Sequence, residues 1–448
     1  MNRYIIKFKT SSTDKNKLIS KYDEDFKHQF NNFNAATAEM TPQDISKLKQ
    51  DSAVDYVEED YIVKMSTVSS VKSSTSVTNW GIDDINASQA WASGLTGEDI
   101  KIAIIDSGIA SHSNLTIAGG KNVISDSSST SYTDENGHGT HVAGIIAAQG
   151  LNGGVKGVAP DASIYAVKAL DSDGEGYTSD IISGIDWAIQ NDMDIISMSL
   201  GSDESSTALK NAIDTTYNDG ILIVAAAGND GNTRGTGTNI EYPANYSSVI
   251  AVGAVNSNNT RASFSSTGSK LEISAPGVDI VSTYLNNGYE KMSGTSMSTP
   301  FVTGDLALLK QKYPSYTNVQ LRQLLNSNVV DVGTLGKDSL YGYGLITAPT
   351  STTATTVATP TASVAAGTYT SSQTVSLSDT TSGVSIYYTL DGTTPTKIPK
   401  PTASVPSGSY RTPLIVMLQI KFPNERIFHY FITTIYTSMT QYLNIFFI

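Results

Sequence analysis

The chain predicts an α/β protein. Its main body is a mostly parallel sheet with helices on both faces, preceded by a small α+β unit and followed by a short β-rich module. Three observations predict it. Between Trp80 and Ala348, short apolar runs ("KIAIIDSG", "ASIYAVKAL", "MDIISMSL", "GILIVAAAGN", "SVIAVGAV") alternate with amphipathic stretches ("HVAGIIAAQ", "SDIISGIDWAIQ", "STALKNAIDTTYND"). The apolar runs are continuous rather than alternating, as strands buried on both faces must be. Strand and helix patterns following one another in turn imply βαβ units. Ser/Thr-rich stretches then separate this body from its flanks.

The elements follow in order. Residues 1–65 open on a strand pattern, "RYIIKFK", continue through "FNAATAEM", and place a helix start at the Thr-Pro of "TPQDISKLKQ". They close on a second strand pattern, "AVDYVEEDYIVKM". Residues 66–78, "STVSSVKSSTSVT", lack apolar periodicity and read as a linker, and 79–348 form the α/β domain. Residues 349–361 are a second Ser/Thr/Pro linker, and 362–396 a β module. "PTASVAAGTY" at Pro360–Tyr369 recurs as "PTASVPSGSY" at Pro401–Tyr410, so 397–448 start a second module. That repeat breaks off near Thr412 into an Ile/Phe-rich tail, which reads as a sequence shift in an AT-rich gene. Lys421, Glu425 and Arg426 interrupt the tail, so it is not a clean membrane span, and a membrane anchor is the weaker alternative.

Composition excludes several functions. With 448 residues there is length for roughly three domains. A net charge of −13 argues against nucleic acid and against anionic membranes as partners. Zero cysteine removes disulfides, thiol nucleophiles and Cys-based zinc sites. "MNRYIIKFK" has no apolar core of signal-peptide length. The chain is then either cytoplasmic or begins downstream of a signal peptide.

Chemistry is sought first in "MSGTSMSTPFVTGDLALL", where Ser296 opens a helix-forming run. Backbone N–H groups at a helix start favour a developing negative charge beside that serine. Taken alone, the stretch reads more readily as an N-capping cluster with no chemistry. Its partners must come from elsewhere. Of five histidines, His138 stands between glycines in "NGHGTHVAG" at a predicted helix start, a presentation suited to a general base. His141, within the helix, suits a buried structural hydrogen bond. A zinc pair is disfavoured, because the adjoining glutamate and third ligand of helical zinc hydrolases are missing. Asp106 ends the buried strand of "KIAIIDSGI", at the sheet edge where α/β sites assemble. A carboxylate there could accept the His138 Nδ1–H. Asn229, closing "ILIVAAAGND", could donate its amide to an oxyanion.

The order Asp, His, Ser on successive βα connections is that of subtilisin. "DSGI", "NGHGTHVAG", "GVAPDASIYAVKAL", "SMSLG", "VAAAGN" and "SGTSMSTP" together resemble the subtilisin-like serine peptidases over Trp80–Ala348. The resemblance implies a serine endopeptidase, needing no cofactor for catalysis and acting on peptides and proteins as a monomer. On this resemblance Asp106 would orient His138, Ser296 would attack the carbonyl, and Asn229 with the Ser296 N–H would form the oxyanion hole. Ser199, Leu200 and Gly201 on one side, and Gly174 and Gly176 on the other, would pair with an extended substrate. Ala226 and Gly228 would wall the P1 pocket. Residues 1–65 resemble the family's propeptide, a chaperone and inhibitor removed by the enzyme itself, so cleavage is expected within 66–78. Residues 362–396 resemble a chitobiase-type C-terminal module of secreted bacterial enzymes, implying secretion and contact with carbohydrate or cell wall. An esterase is disfavoured, since no GxSxG elbow in the order Ser, Asp, His occurs. A purely binding protein is disfavoured by the complete triad.

Three positions depart from the family pattern. Phe301 stands where the family carries a non-catalytic His. Asn114 replaces the Asp of the family's calcium site, and "QGLNGGV" adds only Asn152 as a side-chain oxygen, so a structural calcium is only weakly supported. Glu241 precedes Tyr242-Pro243, where a small residue normally floors the P1 pocket, and Asp230 follows Asn229 at its rim. A floor carboxylate would favour Lys or Arg at P1, whereas one turned to solvent would leave an apolar pocket. Lys64 and Lys72 are accordingly candidate P1 residues for removal of the propeptide.

Overall fold

The computed structural model describes residues 2–350 apart from 12–14, 23–24, 67–68 and 73–76, and beyond 350 only short strands. The chain divides into two units, Met1–Ser351 and Thr352–Ile448.

A nine-stranded sheet forms the centre of the first unit. Its middle runs in the order Ile250–Val255, Leu222–Ala226, Ile195–Met198, Lys101–Asp106, Ser163–Lys168, all parallel. Side-chain alternation divides each strand between two cores. Ile102, Ile104, Leu222 and Val224 pack with Val142, Ile145, Val302 and Leu306 from the helices His138–Ala147 and Thr295–Lys312. Ala103, Ile105, Ile223 and Ala225 face the opposite way, onto Ile181, Ile185, Leu209 and Ile213 of the helices Thr178–Gln190 and Thr207–Asn218. Both faces are therefore apolar, which is why the runs read as unbroken hydrophobic stretches.

The N-terminal residues build a four-stranded antiparallel sheet in the order Asp25–Gln29, Ala35–Met40, Asn2–Phe8, Val54–Glu59. The helix Pro42–Leu48 starts at the Thr-Pro signal, with Thr41 Oγ1 accepting from the Asp44 N–H at 3.2 Å. Ile6, Phe8 and Ala38 bury against Leu18, Ile45 and Leu48 on one face. Ile5, Phe30, Phe33 and Ala35 belong to the core around Ala208 and Ala212. The N-terminal sheet thus lies on the two helices of the second face. Two carboxylates complete the docking at helix starts, where free N–H groups await acceptors. Glu58 accepts from the N–H groups of Thr207 (2.9 Å) and Ala208 (3.0 Å). Asp60 accepts from the Ser179 N–H and hydroxyl at 2.9 and 2.7 Å and pairs with Arg3 at 2.8 Å.

The sequence reading of 66–78 as featureless linker is corrected in part. Ser69–Lys72 is a strand, antiparallel to Gly288–Ser293. In the second unit, the atypical tail contains the strands Leu414–Lys421, Phe428–Thr437 and Thr440–Phe446, joined antiparallel to one another. The repeat at 401–410 and residues 351–360 of the second linker lie outside the described residues.

Asp305 is an anomaly of the central helix Thr295–Lys312. It is fully buried, and neither carboxyl oxygen has a hydrogen-bond partner among the described residues. Burial raises its pKa well above the ordinary carboxylate value. The folded chain must then hold a proton that the unfolded chain releases above about pH 4. Stability therefore falls as pH rises from that point towards the folded pKa. Asp305→Ala, made in an inactive Ser296→Ala background to prevent autolysis, should stabilise the fold by about 1–3 kcal/mol at pH 8. The gain should shrink at pH 4.5. Thermal unfolding at the two pH values checks this, and an equal gain at both would remove the titration argument.

Candidate active site

Three adjacent strands deliver site residues from their carboxyl ends, the edge at which α/β sheets assemble sites. Asp106 ends Lys101–Asp106, Ser199 follows Ile195–Met198, and Ala226–Asn229 leave Leu222–Ala226. Asp106 Oδ1 lies 2.7 Å from His138 Nδ1 and accepts the Ser107 N–H at 2.7 Å. Both side chains are buried. The pairing assigns the proton to Nδ1 and leaves Nε2 free to accept, and Nε2 has no partner among the described residues.

The turn before His138 is held by a residue the sequence reading missed. Asp134 Oδ1 accepts from the N–H groups of Asn136 and Gly137, both at 2.9 Å. Its Oδ2 accepts from Thr140 N–H at 3.0 Å and Oγ1 at 2.6 Å. Gly137 has φ 106, and a Cβ there would enter the Tyr284 ring, so no other residue fits. His141 makes the expected structural bonds, its Nε2 lying 3.1 Å from Ile280 O and 3.0 Å from Glu290 O. Burial pushes its pKa down to about 3, keeping it neutral.

Ser296 is the second residue of the helix Thr295–Lys312. Pro300 lacks the N–H that would otherwise bond the Ser296 carbonyl, and Ser199 Oγ donates to that carbonyl instead at 2.8 Å. Ser296 Oγ donates to Ser199 O at 2.9 Å. Asn229 is oriented by Thr295, also unassigned from sequence. Its Oδ1 accepts from Thr295 N–H at 3.0 Å and Oγ1 at 3.1 Å. With the carbonyl end so held, the NH₂ end remains as the donor.

The predicted substrate strands are occupied by the chain itself. Ile62–Met65 lies between Glu175–Tyr177 and Leu200–Gly201, antiparallel to both, with Val63 opposite Gly176, Met65 opposite Leu200 and Lys64 opposite Gly201. Met65 N–H donates to Gly174 O at 3.1 Å. Ser66 N–H donates to Ser199 O at 3.2 Å, and Ser296 N–H donates to Ser66 O at 3.3 Å. It is Ser66, rather than either lysine, whose carbonyl takes the Ser296 N–H. The Lys64 ammonium pairs instead with Glu175 at an exposed site, and Lys72 lies opposite Glu290 on the strand beyond.

Glu241 turns inward. Its Oε2 accepts from Ser66 Oγ at 3.2 Å, and its carboxyl also takes the Asn229 N–H. It fills the space between Gly201 and Gly228, where a Cβ on either glycine would collide with it. Burial, reinforced by the nearby Asp230 charge, pushes its pKa up to about 7.

Comparison with known proteins bears on this arrangement. The Subtilase family profile matches residues 97–344. The chain belongs to the subtilase family. The peptidase inhibitor I9 profile matches residues 3–66 of this subtilase, and the chitobiase/beta-hexosaminidase C-terminal domain profile matches 364–416. Subtilisin E of Bacillus subtilis (strain 168) is 47% identical over 350 residues, 77% of this chain and 88% of the relative. The thermostable alkaline protease of Halalkalibacterium halodurans is 46% identical over 343 residues, covering 77% and 90%. The minor extracellular protease Epr of Bacillus subtilis (strain 168) is 44% identical over 331 residues, 72% of this chain, which spans half of that relative's length. The protein is a serine-type endopeptidase of subtilisin type.

The calcium reading does not fit the residues of this subtilase. Asn114 Oδ1 accepts from the Leu151 N–H at 2.6 Å, while Nδ2 donates to Leu151 O (3.2 Å) and Tyr289 OH (2.8 Å). The amide thus fastens the loop directly, with an N–H where a cation would need oxygen. Asn152 lies exposed in that loop, and no cluster of three His, Asp or Glu suited to a metal occurs among the described residues. No described helix is long and apolar enough to cross a membrane.

Proposed function

We propose that Asp106, His138 and Ser296 form the triad of this endopeptidase, which is made as a zymogen that removes its own N-terminal unit. The observation that carries the reading is the buried 2.7 Å Asp106–His138 bond, with Nε2 unpartnered. In the reaction Ser296 Oγ leaves Ser199 O and gives its proton to His138 Nε2 as it attacks the scissile carbonyl. Asp106 stabilises the resulting imidazolium. The Ser296 N–H at the helix start and the Asn229 amide bind the oxyanion, and His138 then protonates the departing amine. Gly174–Gly176 and Ser199–Gly201 hold the substrate as an added strand, with Ala226, Gly228 and Glu241 around the P1 side chain. Secretion is consistent with a relative named as extracellular, and residues 364–416 suit contact with carbohydrate or cell wall. A fluorophosphonate probe should label Ser296, and the labelled enzyme should lose hydrolysis of an unfolded protein. No labelling would indicate a binding protein, and activity confined to simple esters would indicate an esterase.

The Glu241 carboxyl makes P1 preference depend on pH. Below about pH 7 it is mostly neutral, and above it carries charge. The ratio of kcat/KM for a P1 Lys peptide to that for P1 Phe should therefore rise as pH passes through about 7. A charge-assisted bond of about 1.5–3 kcal/mol corresponds to roughly a 10–100-fold change in preference. P1 Glu should be the poorest substrate at high pH. Glu241→Gln should flatten the profile, and an unchanged ratio in that variant would take Glu241 out of specificity.

A further inference from the structure

We infer that this peptidase cuts its own chain between Ser66 and Thr67, and that the contact of Ser66 with Glu241 selects this bond. The inference rests on Ser296 being the nucleophile and adds the substrate to it. Three contacts converge on Ser66 and a fourth holds Met65 before it. The Ser66 N–H is bonded to Ser199 O, its carbonyl receives the Ser296 N–H, its hydroxyl donates to Glu241, and Met65 before it is bonded to Gly174. A peptide carbonyl receiving the N–H of the nucleophilic serine is the one whose oxygen gains charge on attack. The neighbouring residues are gripped on both sides. Ile62–Met65 is paired between two strands, and beyond the bond Ser69–Lys72 runs along Gly288–Ser293, with Ser69 opposite Ser293. The described residues are therefore anchored before and after one carbonyl.

In the cut, the Ser296 Oγ–C bond to Ser66 forms as the Ser66–Thr67 C–N bond breaks. The Ser296 hydroxyl proton passes through His138 to the new Thr67 amine. Water then hydrolyses the ester, releasing a Ser66 carboxyl and restoring the Ser296 hydroxyl. Residues up to Ser66 keep their strand pairing and their Glu58 and Asp60 contacts, so the released unit stays on as an inhibitor.

Intact mass and N-terminal sequencing of the full chain purified after maturation test the bond. The expected mature N-terminus is Thr67, with a fragment ending at Ser66. Ser66→Glu sets a second carboxyl against Glu241 and should slow the cut by about 10–100-fold, on the same charge scale. Adding Glu241→Gln should restore much of the rate. If the wild type is cut first after Lys64 or Lys72 while Ser296→Ala stays whole, the junction is wrong and the nucleophile stands. If purified Ser296→Ala is cut at Ser66, the nucleophile reading fails instead. Normal processing of Ser66→Glu would overturn selection by Glu241.

Discussion

Ser296→Ala is expected to abolish peptide hydrolysis and to leave the chain as one unprocessed polypeptide. The expected loss in kcat is on the order of 10⁶, the magnitude known for loss of the nucleophile in subtilisin, a relative of this chain. The reason is local. The Ser296 hydroxyl belongs to the residue whose own N–H already contacts the Ser66 carbonyl. The variant should still fold, because alanine suits the second position of a helix and the side chain gives up a single bond, to Ser199 O. Its N-terminal unit should remain docked through Glu58 and Asp60. The measurement is a gel and intact mass of the variant purified alone, beside hydrolysis of a chromogenic peptide. Maturation of the isolated alanine variant would show that the N-terminal unit is removed by another route.

Much of this site was legible in sequence because each part is tied to a local pattern. Asp106 and Asn229 end continuous apolar runs, and such runs in a parallel sheet have their carboxyl ends on one edge. His138 directly follows Gly137 and Ser296 lies two residues after Gly294, both glycines that open helices recognisable in sequence. The resemblance also pointed to two strands as partners for an extended chain, and Ile62–Met65 of this chain pairs with them at Gly174, Gly176, Leu200 and Gly201.

What escaped was long-range. Asp134 looks like any loop acid, and only folding shows it satisfying four donors around the His138 turn. Thr295 was read as part of a motif, while its partner Asn229 lies 66 residues away. A pocket carboxylate invites a cation, which favours Lys64 and Lys72 on sequence alone. Strand register decides instead: pairing Lys64 with Gly201 carries the chain two residues further before it meets Ser296. Asn114 shows the converse, where one residue change was visible and its meaning was not. An amide can bond both the N–H and the carbonyl of Leu151, as a carboxylate with its cation cannot.

Asn229→Ala should lower kcat with little change in KM. In the proposed role the amide would meet an oxygen that becomes fully charged only in the transition state, so its removal should weaken that state more than substrate binding. Loss of the corresponding donor in subtilisin costs on the order of 10²–10³ in kcat, and a similar loss is expected here. Orientation is part of the effect. Asn229 Oδ1 is held by the Thr295 N–H and hydroxyl, and Thr295 Oγ1 also accepts the Gly228 N–H at 3.2 Å, fixing the loop to the helix start. Asn229→Asp keeps the shape but turns an oxygen towards the oxyanion, so its loss should equal or exceed that of alanine. Thr295→Val keeps the donor and frees its anchor, and should cost less, on the order of tenfold. Steady-state kinetics on one peptide order the three variants. A raised KM with unchanged kcat in Asn229→Ala would assign the amide to ground-state binding, and equal losses in Asn229→Ala and Thr295→Val would make it a structural tie.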